Sequence, residues 1–466
     1  MIIGRLGTAH AGWTWVATRL LLLILILALL AADGAAVLEA MQPEVTEDII
    51  VVLPDNADVP GILRRFDVRP THRYRHVVNG FSAEVPPGVR RALEQIPGAV
   101  ISPNRRVTVA ERVTSEAKRC KKRDKRKKRC QKRGTTQPLP VQVIPTPVAP
   151  TPVSPTPSTQ VLPTGIRRIA VDRNPQAAIH EDGGMVAVDV AVLDTGIAPH
   201  PDLTRASTHD CTGQGPDDGS GHGTHVAGII GARDNTFGVV GVAPGAPLYS
   251  VKVLNNDGSG TEAALICGLE WVAANASVID VVNASISGAA SAADQNPCGP
   301  TTSAIHNAVC DVVLEHGIAV VTAAGNNTAD AATRFPATYD EVITVSALTD
   351  FDGRPGGQTT STCYADADDT FARFSNYGAD VDIAAPGTCI FSTWLGGGYD
   401  TRRGTSFAAP HVTGAVALYL ETNPTATPAQ VQAYLLGAAS RPQQSPEGLV
   451  IDDDPDAIPE PVLYIP

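Results

Sequence analysis

The chain has 466 residues, 43% hydrophobic and 18% charged, a balance that builds globular cores and excludes a mainly disordered protein. A single long apolar run, at the N-terminus, excludes a polytopic membrane protein. The net charge of -12 is unevenly spread: residues 1–163 carry 24 Lys+Arg against 13 Asp+Glu, and residues 164–466 carry 12 against 35. The second part lacks the clustered cations that phosphate contacts need, so no nucleic-acid partner is expected.

Arg5 and Arg19 precede the apolar run Leu20 to Ala32, which ends in small residues. This pattern reads as a signal peptide over 1–32 and predicts a secreted protein. The run is short against the roughly 20 residues of a bilayer span; an uncleaved anchor is the other reading. Export places the eight cysteines in an oxidising compartment, where they can pair.

Residues 44–113 read as a small α+β unit. Strand material at Asp48–Leu53 precedes a short helix at Pro60–Phe66. Tyr74–Val78 and Gly80–Val85 flank an Asn79-Gly80 turn, a hairpin signal. A helix over Pro86–Ile96 ends at Pro97-Gly98, and Ala99–Ile101 with Arg106–Val109 closes the sheet. The order β-α-β-β-α-β is ferredoxin-like.

Residues 114–163 read as a linker. Lys118 to Arg133 holds 12 basic residues and one Asp, with Cys120 and Cys130 near its ends. Such a block repels itself and stays solvated, and it offers either a processing site or an anion-binding patch. The Pro/Thr-rich stretch that follows is an extended spacer.

Residues 164–466 read as one α/β domain. Val-rich strands are expected at 186–193, 248–254, 278–284, 318–323, 342–347 and 381–384. Helices are expected near 222–232, 261–276, 303–316 and 405–421. The alternation predicts a parallel sheet with helices on both faces. Acidic runs such as Asp366 to Asp369 read as solvated loops.

Four motifs in this part can carry chemistry. Val192-Leu193-Asp194-Thr195-Gly196 sits at a strand end, where catalytic groups gather in parallel sheets, although a turn Asp would look the same. Gly221-His222-Gly223-Thr224-His225 leaves His222 uncrowded at the start of a small-residue helix, as an accessible base requires; His225 reads as structural. In Gly404-Thr405-Ser406-Phe407-Ala408-Ala409-Pro410 a serine opens a helix whose free N–H groups favour negative charge; an N-cap is the plain alternative. Ala323-Ala324-Gly325-Asn326 offers an amide donor at another strand end, or only a turn.

Together, in the order Asp, His, Asn, Ser, these motifs resemble the subtilisin-like serine proteases, or subtilases, over residues 164–466. Val240–Pro244, Val251–Leu254, Phe374–Gly378 and Ala384–Gly387 add to the likeness, and the first small unit resembles the inhibitory propeptide of that family. The resemblance implies a subtilisin-like fold and a secreted, monomeric endopeptidase acting on proteins or peptides through an acyl-enzyme, with its own propeptide as intramolecular inhibitor. Ser406 would be the nucleophile, His222 the base, Asp194 its partner and Asn326 an oxyanion donor. Ser285, Ile286 and Ser287 with Ala323, Ala324 and Gly325 would wall the pocket for the residue before the cleaved bond. Arg334 aligns with that pocket's floor, where it either selects acidic side chains or turns outward to an acid. The family also implies structural calcium, held by Asp202, Asn235 and the carbonyls of Arg233, Phe237 and Val239; Asp202 is alternatively a turn residue. Cys298–Cys310 is the first expected disulfide among the six cysteines of this part, from its short loop. Processing is expected near Arg112–Val113, in the basic block or near Thr164. The competing reading is a catalytically silent subtilase-like protein that binds peptides and is tethered to anionic surfaces by its basic linker.

Overall fold

The computed structural model describes residues 46–110, 159–439 and 455–466, apart from 181–183, 300–301, 357–358, 361–362, 365, 457 and 459. The leader, the basic block, most of the Pro/Thr-rich stretch, Cys120 and Cys130 lie outside the described residues. No described helix is long and apolar enough to cross a membrane.

The small unit runs β1 (Glu47–Val52), α1 (Val59–Arg65), β2 (His72–Tyr74), β3 (Gly80–Val85), α2 (Pro87–Leu93), β4 (Val100–Pro103) and β5 (Arg106–Val109). Its antiparallel sheet has the order β2-β3-β1-β4. Strand alternation turns Ile49, Val51, Phe81, Ala83 and Val85 onto Leu63 and Leu93 of the helices. The side chain of Asp58 caps α1 at the Gly61 N–H.

Two expectations for this unit change. The turn at Asn79-Gly80 does not close a tight hairpin, because β2 ends at Tyr74. The N–H groups of Arg75, His76 and Val77 donate instead to the Glu270 carboxylate, at 2.7, 2.8 and 3.1 Å. A charged acceptor on the large unit takes the donors a ladder would have used. The second change is β5, which leaves the small sheet altogether.

The large unit contains α3 (Thr164–Arg168), β6 (Val190–Asp194), β7 (Arg205–Asp210), α4 (His222–Gly231), β8 (Leu248–Lys252), β9 (Ser259–Thr261), α5 (Glu262–Ala274), β10 (Val281–Ala284) and β11 (Ile286–Ala289). It continues with α6 (Ala304–Cys310), β12 (Ala319–Ala323), β13 (Arg334–Phe335), β14 (Ile343–Thr349), β15 (Thr370–Phe371), β16 (Ile383–Pro386), β17 (Ile390–Trp394), β18 (Gly398–Arg402), α7 (Thr405–Thr422) and α8 (Pro428–Ala438). The main sheet has the order β15-β14-β12-β10-β6-β8-β7, with β16 beside β14. Every pairing is parallel except β14 with β15.

Strands β6, β10, β12 and β14 are buried at every position, as befits a sheet covered on both faces. Val190 and Val192 of β6 pack with α4 and α7, whereas Ala191 and Leu193 pack with α5 and α6. Small residues let α4 lie close against β17 and α7 against the segment at Val242. A Cβ on Gly228 would lie 2.2 Å from Thr393 Oγ1, and one on Gly414 would lie 2.4 Å from Val242.

The loop at Asp366 to Asp369 is not the solvated run its composition predicts. Asp368 is buried, and Asp369 pairs with the wholly buried Arg168 at 3.0 Å. Asp350 lies 3.4 Å from the same guanidinium. A buried arginine requires carboxylate partners, and it draws the loop inward. Cys298–Cys310 forms the expected disulfide, joined by Cys211–Cys267 and Cys363–Cys389.

Candidate active site

Asp194 ends β6 and His222 opens α4. Oδ1 of Asp194 accepts from His222 Nδ1 at 2.7 Å and from the Thr195 N–H at 2.7 Å. Both side chains are buried. The strand end and helix start are locked together by Asp218, which sequence reasoning missed. Its Oδ1 accepts from Thr195 Oγ1, Ser220 N–H and Gly221 N–H, and its Oδ2 from the N–H and hydroxyl of Thr224. Thr195 Oγ1 in turn accepts from the Gly223 N–H. The only signal in the sequence was an acid four residues before His222.

His225 behaves as its structural reading expects. Its Nε2 faces the carbonyls of Ile390 and Asp400, both at 3.1 Å, and burial pushes its pKa down to about 3. It stays neutral at ordinary pH and holds α4 to β17 and β18.

Ser406 is the second residue of α7, so its N–H belongs to the first turn and has no helical partner. The Phe407 ring next to it lies 5.1 Å from the His222 ring. Ser406 Oγ donates to the Ser285 carbonyl at 3.2 Å, and Ser285 Oγ donates to the Ser406 carbonyl at 2.8 Å. Asn326 follows β12. Its Oδ1 accepts from the N–H and hydroxyl of Thr405, at 3.0 and 3.1 Å. Those two donors fix the amide so that Nδ2 points into the cleft. Thr405 is a second residue that sequence reasoning missed.

The cleft is filled by the small unit's last strand. β5 lies between β11 and β9, antiparallel to both, in a sheet of order β13-β11-β5-β9. Ala110, just beyond β5, donates its N–H to the Ser285 carbonyl at 3.2 Å. Its own carbonyl accepts from the Ser406 N–H at 3.2 Å and from Asn326 Nδ2. Strand β5 therefore leaves its own sheet because two free strand edges of the large unit flank it. Val107 is completely buried, packed with Leu254, Ile286 and Phe335.

Ser285, Ile286 and Ser287 thus line this strand, and Gly325 faces them: a Cβ on it would lie 3.4 Å from Ser287 Oγ. Gly325 is at φ +106°, and its N–H donates to Thr405 Oγ1. Ala323 and Ala324 are buried behind it. Arg334 pairs with Ala289 across β13 and β11. Its Nε is buried without a hydrogen-bond partner, and no acid pairs with it among the described residues.

Away from the cleft, Asp202 is fully buried, and burial pushes its carboxyl pKa up. Its Oδ1 accepts from Asn235 Nδ2 at 2.7 Å, and its Oδ2 from Val239 N–H at 2.9 Å and Tyr399 OH at 3.1 Å. Thr159–Pro163, read from sequence as the end of the spacer, run against this loop. Val161 bridges to Val239, and Gln160 Oε1 accepts from the Asn235 N–H at 2.5 Å. Gln160 is a further oxygen donor that sequence reasoning missed. The oxygen-only donor set suits Ca²⁺, while the hydrogen bonds to Asp202 already satisfy both carboxylate oxygens.

The chain matches the family model described as the subtilase family over residues 186–452, more than half its length. It belongs to the subtilase family and is a serine-type endopeptidase. Subtilisin DY of Bacillus licheniformis is 39% identical over 287 residues, which cover 60% of this chain and 92% of that protein. Subtilisin E of Bacillus subtilis (strain 168) is 39% identical over 289 residues, 60% of this chain and 67% of that one. A crystal structure of a cold adapted subtilisin-like serine proteinase superposes with a TM-score of 0.49 at 30% identity, covering 65% of this chain and 98% of that chain.

Proposed function

We propose that the protein is a secreted subtilase made as a zymogen, which cuts its own chain between Ala110 and Glu111 and is then held inhibited by the released small unit. The observation that carries this reading is the Ala110 carbonyl, which accepts from both Ser406 N–H and Asn326 Nδ2. These are the two donors that an oxyanion needs. This bond lies two residues before Arg112–Val113, so the first of the three expected neighbourhoods is favoured over the basic block and Thr164. Residues 111–163, including the basic block, would then stay with the enzyme.

In the reaction, Ser406 attacks the carbonyl carbon and His222 takes its proton. Asp194 keeps the proton of His222 on Nδ1 and stabilises the imidazolium. The Ser406 hydroxyl must turn from the Ser285 carbonyl to Nε2 of His222 as it does so. The negative charge that develops on the carbonyl oxygen meets the Ser406 N–H and Asn326. His222 then returns the proton to the leaving amine, and water repeats the sequence on the acyl-enzyme. The silent peptide-binding alternative is disfavoured by the completeness of this set.

Labelling the purified protein with a serine-reactive phosphonate, together with mass analysis of its N-terminus, tests the reading. Label on Ser406 and a new N-terminus at Glu111 are expected. An unlabelled, folded protein lacking the small unit would sink it. Asn326→Ala is expected to lower kcat by about 10²–10³, the scale seen when the corresponding donor of subtilisin is removed. KM should change little, because substrate strand pairing is untouched.

The preference for the residue before the cut falls to Arg334. Strand alternation sets Arg334, Ala289 and Ser287 on one face, the face that also takes Thr108 and, two residues on, Ala110. Arg334 Nε and Ser287 Oγ are both buried without hydrogen-bond partners. A Glu side chain seated beyond the Ala110 position would supply the missing acceptor. Cleavage after Glu relative to Phe should therefore fall about 10- to 100-fold in Arg334→Gln. An unchanged ratio would return Arg334 to a packing role.

Calcium, where bound, would be held by Asp202, Asn235 and Gln160 with the carbonyls of Arg233, Phe237 and Val239, and its part is structural. Chelation is expected to lower the unfolding temperature by about 10 °C, and Asp202→Asn to remove that dependence. A calcium-independent melting curve would mean that the hydrogen bonds to Asp202 suffice by themselves.

A further inference from the structure

The strand in the cleft makes one contact far from the chemistry. Arg105 stands five residues before Ala110, and its carbonyl still accepts from the Glu262 N–H at 2.8 Å. Its guanidinium meets two carboxylates. Nε and Nη2 donate to the two oxygens of Glu262 at 2.7 and 3.1 Å. Nη1 and Nη2 donate to the two oxygens of Asp294 at 2.5 and 3.1 Å. Nη1 also reaches the Ala289 carbonyl at 3.3 Å, and the guanidinium lies 4.3 Å from the centre of the Phe335 ring.

Both acids belong to the large unit, and Asp294 is fixed without Arg105. Glu262 is the first residue of α5, behind a Thr261 cap. Asp294 accepts from Ser291 N–H and Oγ, Ser303 Oγ and Tyr339 OH. Each acid's side chain is at 0% exposure with the arginine in place. Burial pushes Glu262 up, and Arg105 opposes it. Although burial would raise Asp294 too, Arg105 with Ser303 and Ser291 holds it well below the usual carboxylate range. Loss of the strand leaves Asp294 preset by its own donors, Glu262 at the start of α5 and the Phe335 ring, all facing a slot between β11 and β9.

We propose that Glu262, Asp294 and Phe335 form an extended subsite that binds arginine at the sixth residue before the cleaved bond of protein substrates. This rests on the reading of β5 and Ala110 as a substrate-like strand. Arginine is favoured over lysine because its planar fork can pair with two carboxylates and stack on Phe335 at once. The contact is remote from the reacting atoms and contributes binding.

Three peptides distinguish the possibilities on the self-processed wild-type enzyme freed of its small unit. One spans residues 104–114, one is the same peptide with Arg105→Gln, and one begins at Val107 and stops short of the subsite. Arg105→Gln is expected to cost about 10²-fold in kcat/KM, mostly through KM. In the Glu262→Gln enzyme the ratio of the two long peptides should move towards one. Equal cleavage of the long peptides, with the short one also cut, would overturn the subsite and leave the protease reading standing. Failure to cut any of the three would overturn both.

Discussion

Ser406→Ala is expected to leave the small unit covalently attached and to lower residual peptidase activity by about 10⁶-fold, the scale known for the serine of subtilisin. Both effects follow from one atom. The Ala110 carbonyl already accepts from the Ser406 N–H, a backbone donor that alanine keeps. Strand pairing of β5 with β11 and β9 is likewise backbone. The variant should therefore fold with its cleft filled and simply fail to form the acyl-enzyme. The measurement is the intact mass and N-terminal sequence of the purified variant beside wild type. Adding a trace of active enzyme should not release the small unit quickly, because the Ala110 carbonyl is held in the variant's own cleft. Spontaneous appearance of an N-terminus at Glu111 in the variant would show that another nucleophile makes the cut.

On the proposed reading, the covalent link places inhibition before activity. While Ala110 and the rest of the small unit are one chain, the strand is presented at a high effective concentration. After the cut it is held only by its contacts. Those are extensive: Tyr74 OH donates to the Ala263 carbonyl at 3.1 Å, and Glu270 takes three N–H groups. Ile50, Tyr74 and Val77 pack with the α5 core residues Leu265, Ile266 and Leu269 in a single apolar cluster. The released unit should remain a tight product inhibitor until it is itself degraded.

Sequence carried the parts of this molecule that depend on local pattern. The buried strands of the large sheet stand out as Val-rich runs, and β6, β10, β12 and β14 start one to four residues after their expected starts. The motif residues Asp194, His222, Asn326 and Ser406 were legible because each sits at a strand end or helix start with glycine or alanine neighbours. What sequence could not carry was pairing between distant segments. Arg106–Val109 has the composition of any short strand, and nothing local says that its partners are Ile286–Ala289 and Ser259–Thr261. The same holds for Glu270, whose three backbone donors come from a loop almost 200 residues away in sequence. Asp218 and Thr405 act through Thr195 and Asn326, so their importance exists only once the turn is folded. Arg168 carries no local signal of burial. Its burial becomes intelligible only when Asp350 and Asp369 are brought to it.

Asp194→Asn is the second large effect, an expected fall of about 10⁴-fold in kcat, the loss found for the corresponding Asp-to-Asn change in a serine protease of unrelated fold. Asp194 is wholly buried beneath Gly223, where a Cβ would come within 3.1 Å of its Oδ1. It touches no part of the strand in the cleft, so KM should be almost unchanged. Asparagine is nearly isosteric, but one atom, Oδ1, accepts from both the Thr195 N–H and His222 Nδ1 at 2.7 Å, so an amide nitrogen turned to that place gives up the Thr195 bond. Two things are lost. The negative charge that stabilises the imidazolium disappears, and an amide N–H can present itself to Nδ1 and reverse the tautomer of His222. The oxyanion donors at Ser406 N–H and Asn326 remain, which keeps the variant well above the uncatalysed rate and above Ser406→Ala. Steady-state kinetics on a short peptide, with thermal unfolding as a control for folding, provides the check. A loss appearing in KM rather than kcat would mean that Asp194 shapes the cleft instead of holding the base. Because Asp218 and Thr195 fix the same strand end independently of the Asp194 charge, the unfolding temperature should move by only a few degrees, separating the electrostatic role from the architectural one.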